Sequence, residues 1–237
     1  MRHLQAPWPL MVFLALLSFA QARAQAPTTE ALPELDAHVG LNDNVRLVIQ
    51  SMHTLDSNGL FRVELGPSIQ FYLRPIRILR DVTLFDLDET KPVPLALSIG
   101  YRTLVYSGEP TVNRLEPVVL VHLPFWGRIL ATDQNRADMD WSNGTFYWRY
   151  RNRFTTERRL SIHSYHPGPY ASAEFLHTSK YAKWSDTRLY AGCLLPLGKH
   201  VDLDSYYEHE NNTGTRPNQQ TNAAGFILNL YFPKHKR

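Results

Sequence analysis

A chain of 237 residues, 43% hydrophobic and 20% charged, is long enough for one domain and compatible with one large all-β unit. A single cysteine excludes a disulfide framework, and Cys193 sits in an apolar row where a thiol is inert rather than nucleophilic. The formal charge of +3 is mild and the basic residues are spread along the chain, which excludes nucleic acid as the natural partner.

In chain order, residues 1–24 read as a secretory signal. Arg2 supplies a basic start, residues 10–20 an apolar run, and Ala20-Gln21-Ala22 and Ala22-Arg23-Ala24 small-residue cleavage candidates. The cut is expected after Ala24, with no cysteine nearby for an acyl anchor. Nothing after residue 26 matches the roughly 20 apolar residues of a membrane helix. The exported chain is therefore either soluble outside the cytoplasm or crosses a membrane as a closed barrel. Residues 25–44, with Pro, Thr and acids, read as a flexible lead-in, residues 45–232 as the barrel and residues 233–237 as a basic tail.

Within 45–232 the chain divides into strand-length segments bounded by turn signals. The clearest is 61–73, where Phe61, Val63, Leu65, Pro67, Ile69, Phe71 and Leu73 alternate with Arg62, Glu64, Gly66, Ser68, Gln70 and Tyr72. A period of two over that length marks a strand with one oily and one wet face, longer than the usual soluble strand and long enough to cross a bilayer tilted. Segments 94–107 and 114–123 follow the same pattern, 45–53 does so more weakly, and 128–136 alternates poorly beyond Asp133. Segment 145–159 sets Phe146, Trp148, Tyr150 and Phe154 against Arg149, Arg151, Arg153 and Glu157. Segments 170–177, 187–197, 201–210 and 222–232 complete the set.

The reading is an all-β, antiparallel up-and-down transmembrane β-barrel of about ten strands, within a range of eight to twelve, with an even count and both termini on one side. Residues 124–127 and 198–200 then form short periplasmic turns, and 138–144, 179–186 and 211–220 longer outer loops. The connection 74–93 breaks that asymmetry and contains IRILRDVTLF, a candidate further hairpin or surface helix. Trp126, Trp141, Trp148 and Trp184 fall near strand ends or in loops, as in interfacial belts. The last strand ends in Leu230-Tyr231-Phe232 and resembles the carboxy-terminal signal read by the barrel assembly machinery, one expected partner beside outer-membrane lipid.

Trp148-Arg149-Tyr150-Arg151-Asn152-Arg153-Phe154 with Glu157-Arg158-Arg159, the Ala173-Glu174-Phe175 strand, Arg188-Leu189-Tyr190-Ala191-Gly192 and Tyr207-Glu208 resemble the bacterial family catalogued as domain of unknown function 2490. The resemblance covers most of the chain after residue 26 and is strongest over 133–232. It implies an outer-membrane β-barrel of a Gram-negative-type cell, structural or transport-related, and carries over no catalytic residue.

Arg149, Arg151 and Arg153 at alternating positions stack three guanidinium groups on one wall of the lumen, and like charges at that spacing repel unless carboxylates answer them. Glu157, Glu174, Asp202, Asp204 and Glu208 occupy the polar rows of the same and later strands, with Arg188 among them. The expectation is an Arg–carboxylate network that plugs a narrow lumen; its functional version is an anion-selective pathway. Two other readings remain. Ser164 between His163 and His166 raises a lipid-modifying hydrolase, although SIHSYHPGP reads as a polar turn. A soluble lipocalin-like carrier would turn the apolar face inward. No enzyme activity, cofactor or metal site is expected, because the histidines scatter over different segments.

Overall fold

A computed structural model of the chain describes residues 27–57, 59, 61–73, 91, 93–125, 129–214 and 218–233. They form eleven strands: β1 (Thr28–Asn42), β2 (Val45–Asp56), β3 (Phe61–Tyr72), β4 (Leu95–Tyr106), β5 (Val112–Phe125), β6 (Ile129–Ser142), β7 (Thr145–Arg158), β8 (Gly168–Thr178), β9 (Lys183–Pro196), β10 (Val201–Asn212) and β11 (Gln219–Phe232). Each strand pairs antiparallel with its sequence neighbours, and β1 closes the barrel by pairing parallel with β11, from Thr28↔Thr221 to Val39↔Phe232.

The all-β barrel is the expected class, with a count inside the expected range, but the number is odd. One closing pair must then be parallel, and the chain enters at one rim and leaves at the other. The additional strand is β1, which occupies most of the segment read as a flexible lead-in. Its acids made it look like a solvated tail. Facing a polar lumen, Glu30, Glu34 and Asp36 are inward residues, opposite the outward Pro33, Leu35 and Val39.

The strand ends joined through 57–60, 107–111, 143–144, 179–182 and 213–218 lie at the rim where β1 begins, the N-terminal rim; those joined through 43–44, 73–94, 126–128, 159–167 and 197–200 lie at the C-terminal rim, where β11 ends. Each connection thus joins the side expected of it, with 74–93 as the expected exception on the rim of Phe232, but the connections expected as long loops on the opposite rim are shorter than predicted. Part of that correction is local. Residues 138–144 are not a loop, because β6 runs on to Ser142 and turns in two residues, Asn143 and Gly144, with φ of 47° and 74°. An Asn-Gly pair adopts this left-handed geometry with little strain and matches the twist of a tight hairpin. The signal segment, Trp126, most of 74–93 and residues 234–237 lie outside the described residues.

The alternation resolves into an inverted polarity. Leu65, Ile69 and Phe71 of β3 are 52%, 39% and 47% exposed, whereas Asp138 and Asp140 of β6 are fully buried. Outward apolar residues continue through every strand, among them Leu35, Ile49, Leu97, Val119, Leu189 and Phe226. Aromatic side chains mark the outer wall near both rims, with Phe61, Trp141, Phe146, Trp148 and Trp184 at one and Phe71, Phe125 and Phe232 at the other. An interior of charges is not the apolar cup of a lipocalin-like carrier.

Two glycines set the inner wall. A Cβ on Gly225 of β11 would lie 2.0 Å from the Tyr206 ring, and one on Gly192 of β9 would lie 2.6 Å from the Tyr170 ring. Each tyrosine therefore lies flat on a glycine of the neighbouring strand, filling the space that the glycine leaves.

Candidate functional site

The inward rows of β3 to β8 bring together one continuous charge network. Arg114 of β5 grips Asp140 of β6 with two hydrogen bonds, Nε to Oδ1 at 2.6 Å and Nη2 to Oδ2 at 3.1 Å. Its Nη1 also reaches Glu64 of β3 at 3.4 Å. Arg136 pairs with Asp138 two residues along its own strand and with Glu116 of β5 at 3.0 Å. Glu116 also takes Arg102 Nε at 3.1 Å. The planar fork of arginine suits such shared, bidentate contacts, which a point-like ammonium could not span.

The three stacked arginines of β7 complete the network. Arg149 Nη2 lies 3.2 Å from Asp138 and 3.3 Å from Asp140. Arg151 and Arg153 share Glu174 of β8, with Nη2 to Oε1 at 2.5 Å and Nε to Oε2 at 2.7 Å. Arg153 also donates to the Tyr190 hydroxyl at 2.9 Å and lies 4.3 Å over that ring. The repulsion expected along this row is thus answered from both sides, by β6 and by β8.

The other expected residues lie in the lumen wall in different company. Arg188 of β9 meets Asp186 at 3.1 Å, Glu208 at 3.3 Å and Glu210 at 3.1 Å. Glu157 is held by Lys91 at 2.8 Å and not by the β7 arginines. Asp202 accepts from the Asn229 amide at 2.7 Å, and Asp204 from the Tyr170 hydroxyl at 3.1 Å. Sequence reasoning missed Asp138 and Asp140, which sit at the junction of four arginines, together with Arg102, Arg114, Arg136, Glu64 and Glu116. The alternation of Arg136, Asp138 and Asp140 with Ala137, Met139 and Trp141, closed by Asn-Gly, was the signal that could have found them.

The network also mends the backbone. Pro67 brings no donor to its ladder, and the pairing of β3 with β4 skips Gly66 and Pro67. At this interruption Arg102 Nη1 donates to the Gly66 carbonyl at 3.1 Å from inside the barrel.

Opposite the arginines, β1 presents Glu30, Glu34 and Asp36, none in an ion pair with a described residue. Gln50 Nε2 donates to Glu34 at 3.2 Å and to Asp36 at 2.7 Å. Between the two walls runs a cavity of about 760 Å3, bordered by Glu34, Asp36, Arg102, Arg153, Tyr206 and Glu208 among others. The network narrows the lumen without filling it. Among the described residues no group of His, Cys, Asp and Glu is arranged to hold a metal ion.

Ser164 is exposed in the 159–167 connection, within a turn closed by the Ile162↔Tyr165 bridge, and no hydrogen bond joins it to His163 or His166. No protein-family model matches the chain, and no curated protein matches it. The likeness to the family of unknown function therefore rests on its motifs alone.

Proposed function

We propose that this chain is an exported outer-membrane β-barrel, structural or transport-related, whose Arg–carboxylate network leaves room for small polar solutes at most. The observation that carries this reading is the inverted polarity. A closed barrel girdled by outward Leu, Ile, Val and Phe would expose to water an apolar belt far beyond the few hundred Å2 that soluble monomers tolerate. In a bilayer the same belt is solvated by lipid, and closure leaves no unpaired strand edge. Aromatic residues toward both rims and a last strand ending at Phe232 support the same setting. The signal-like start, the motif likeness to domain of unknown function 2490 and assembly through the last strand belong to this proposal.

Expression of the full chain in a Gram-negative host tests it. The protein is expected in the outer-membrane fraction, with a gel mobility that changes on boiling. Recovery as a soluble periplasmic protein would contradict the reading. Lipopolysaccharide or phospholipid hydrolysis by purified protein, lost in Ser164→Ala, would replace it with the hydrolase reading.

A further inference from the structure

Polar side chains interrupt the apolar outer wall in a few places, Ser51 with His53 on β2 and Tyr207 and His209 with Asn222 on β10 and β11 among them, and one such patch holds a carboxylate. Asp133 and Asn135 of β6 lie opposite Phe154 and Asn152 of β7, in the outward rows, whereas the intervening Gln134 lines the lumen. Phe154 is 45% exposed, and Asn135 and Asn152 lie about midway along their strands. Among the described residues Asp133 is the one carboxylate in an outward row away from a strand end. Its oxygens accept from Asn152 Nδ2 at 2.7 Å and Asn135 Nδ2 at 3.0 Å, and no described cation pairs with it. Asn135 Oδ1 accepts in turn from Asn152 at 3.2 Å and from the Tyr150 hydroxyl.

We infer that this patch is the contact surface for a second copy of the chain in the membrane. The inference rests on the belt facing hydrocarbon, where a carboxylate at mid-depth is costly and nothing but protein can complete its hydrogen bonding. A carboxylate offers about four acceptor positions, of which two are used here, and the Asn135 amide keeps a second hydrogen. The patch thus carries spare donors and spare acceptors side by side, as a two-fold contact requires. Asn135 of each copy donates to Asp133 of the other, an arrangement that sets each carboxylate against an amide and not against its twin. A cationic partner is the competing occupant by charge. The chain's own outward rows supply no mid-strand Lys or Arg among the described residues, so contact between copies runs through the amides. Beside the cluster the wall has an open recess of about 470 Å3, bordered by Tyr150, Asn152, Phe175, Trp184 and Thr187 among others, against which the facing copy packs. Because a closed barrel has no free strand edge, such a contact must be made by side chains, with polar groups as the adhesive.

The test uses the full chain reconstituted in lipid vesicles. In a Cys193→Ala background, Ala137→Cys on the outward row of β6 is expected to form a symmetric disulfide on oxidation, and Ile49→Cys on β2, across the barrel, is not. In detergent, sedimentation is expected to give a dimer whose dissociation constant rises at least tenfold in Asp133→Leu and in the milder Asp133→Asn, with heat-modifiable mobility kept as the check on folding. Inserted protein that stays monomeric, cross-links equally at both positions or dimerises unchanged in both variants would overturn the contact while leaving the barrel reading intact. A chain that does not enter lipid would overturn both.

Discussion

Glu174→Gln probes the charge network where one carboxylate serves two arginines. The Glu174 side chain is 4% exposed and is the carboxylate that answers both Arg151, at 2.5 Å, and Arg153, at 2.7 Å. Glutamine keeps the shape and one acceptor oxygen but leaves two guanidinium groups facing each other without a charge between them. Breaking a buried pair by removing one partner costs about 3–5 kcal/mol. The Arg153 side chain is 32% exposed to the cavity, so its share is screened, and about 3 kcal/mol is expected. With a urea slope of about 2 kcal/mol/M, the unfolding midpoint in lipid vesicles, followed by tryptophan fluorescence, falls by about 1.5 M. The double variant Arg151→Gln/Glu174→Gln is expected to cost less than the sum of the single changes, with a coupling of about 1 kcal/mol or more. A loss below about 0.5 kcal/mol for Glu174→Gln, or strict additivity, would refute the idea that these contacts brace the barrel.

Gly225→Ala should destabilise by about 1–3 kcal/mol, because its methyl meets the Tyr206 ring, and adding Tyr206→Ala should recover much of the loss in the same unfolding assay. Gly66→Ala should be at least as harmful, since the new Cβ would lie 1.8 Å from the Tyr101 backbone carbonyl, which cannot rotate away as a side chain would. In planar bilayers any conductance is expected to be small and to favour K+ over Cl−, because Glu30, Glu34 and Asp36 face the cavity with no ion pair to a described residue while Arg149, Arg151, Arg153 and Arg188 are each paired with carboxylates. The pair Glu34→Gln and Asp36→Asn should weaken that preference. A reversal potential favouring Cl− would instead support the pathway suggested by the three stacked arginines alone.

The strands that the sequence made plain are those in which an apolar outward row met a polar inward row without interruption, as in β3, β4 and β7. The same rule hid β1. Its inward Glu30, Glu34 and Asp36 carry the composition of a solvated tail, and only the existence of a polar lumen gives acids a reason to be in a strand. In β6 the alternation fails because Asp133 and Asn135 are polar on the outward side, so Asp138 and Asp140 were read as loop acids. The presence of a charge network followed from Arg149, Arg151 and Arg153, but its pairing did not. Which carboxylate reaches which arginine depends on register and tilt around a closed barrel, as when Arg114 of β5 meets Glu64 two strands away. The odd count and the parallel closure of β1 on β11 are likewise properties of the closed sheet that no segment announces locally.

Nitroxide labels placed singly at Ile69, Gln70 and Phe71 in vesicle-reconstituted protein ask directly which row meets lipid. High collision rates with oxygen at Ile69 and Phe71, and low rates at Gln70, are the expected result. Ready access of a water-soluble nickel chelate to Ile69 and Phe71, or no alternation across the three positions, would contradict an oily wall turned outward around a charged lumen.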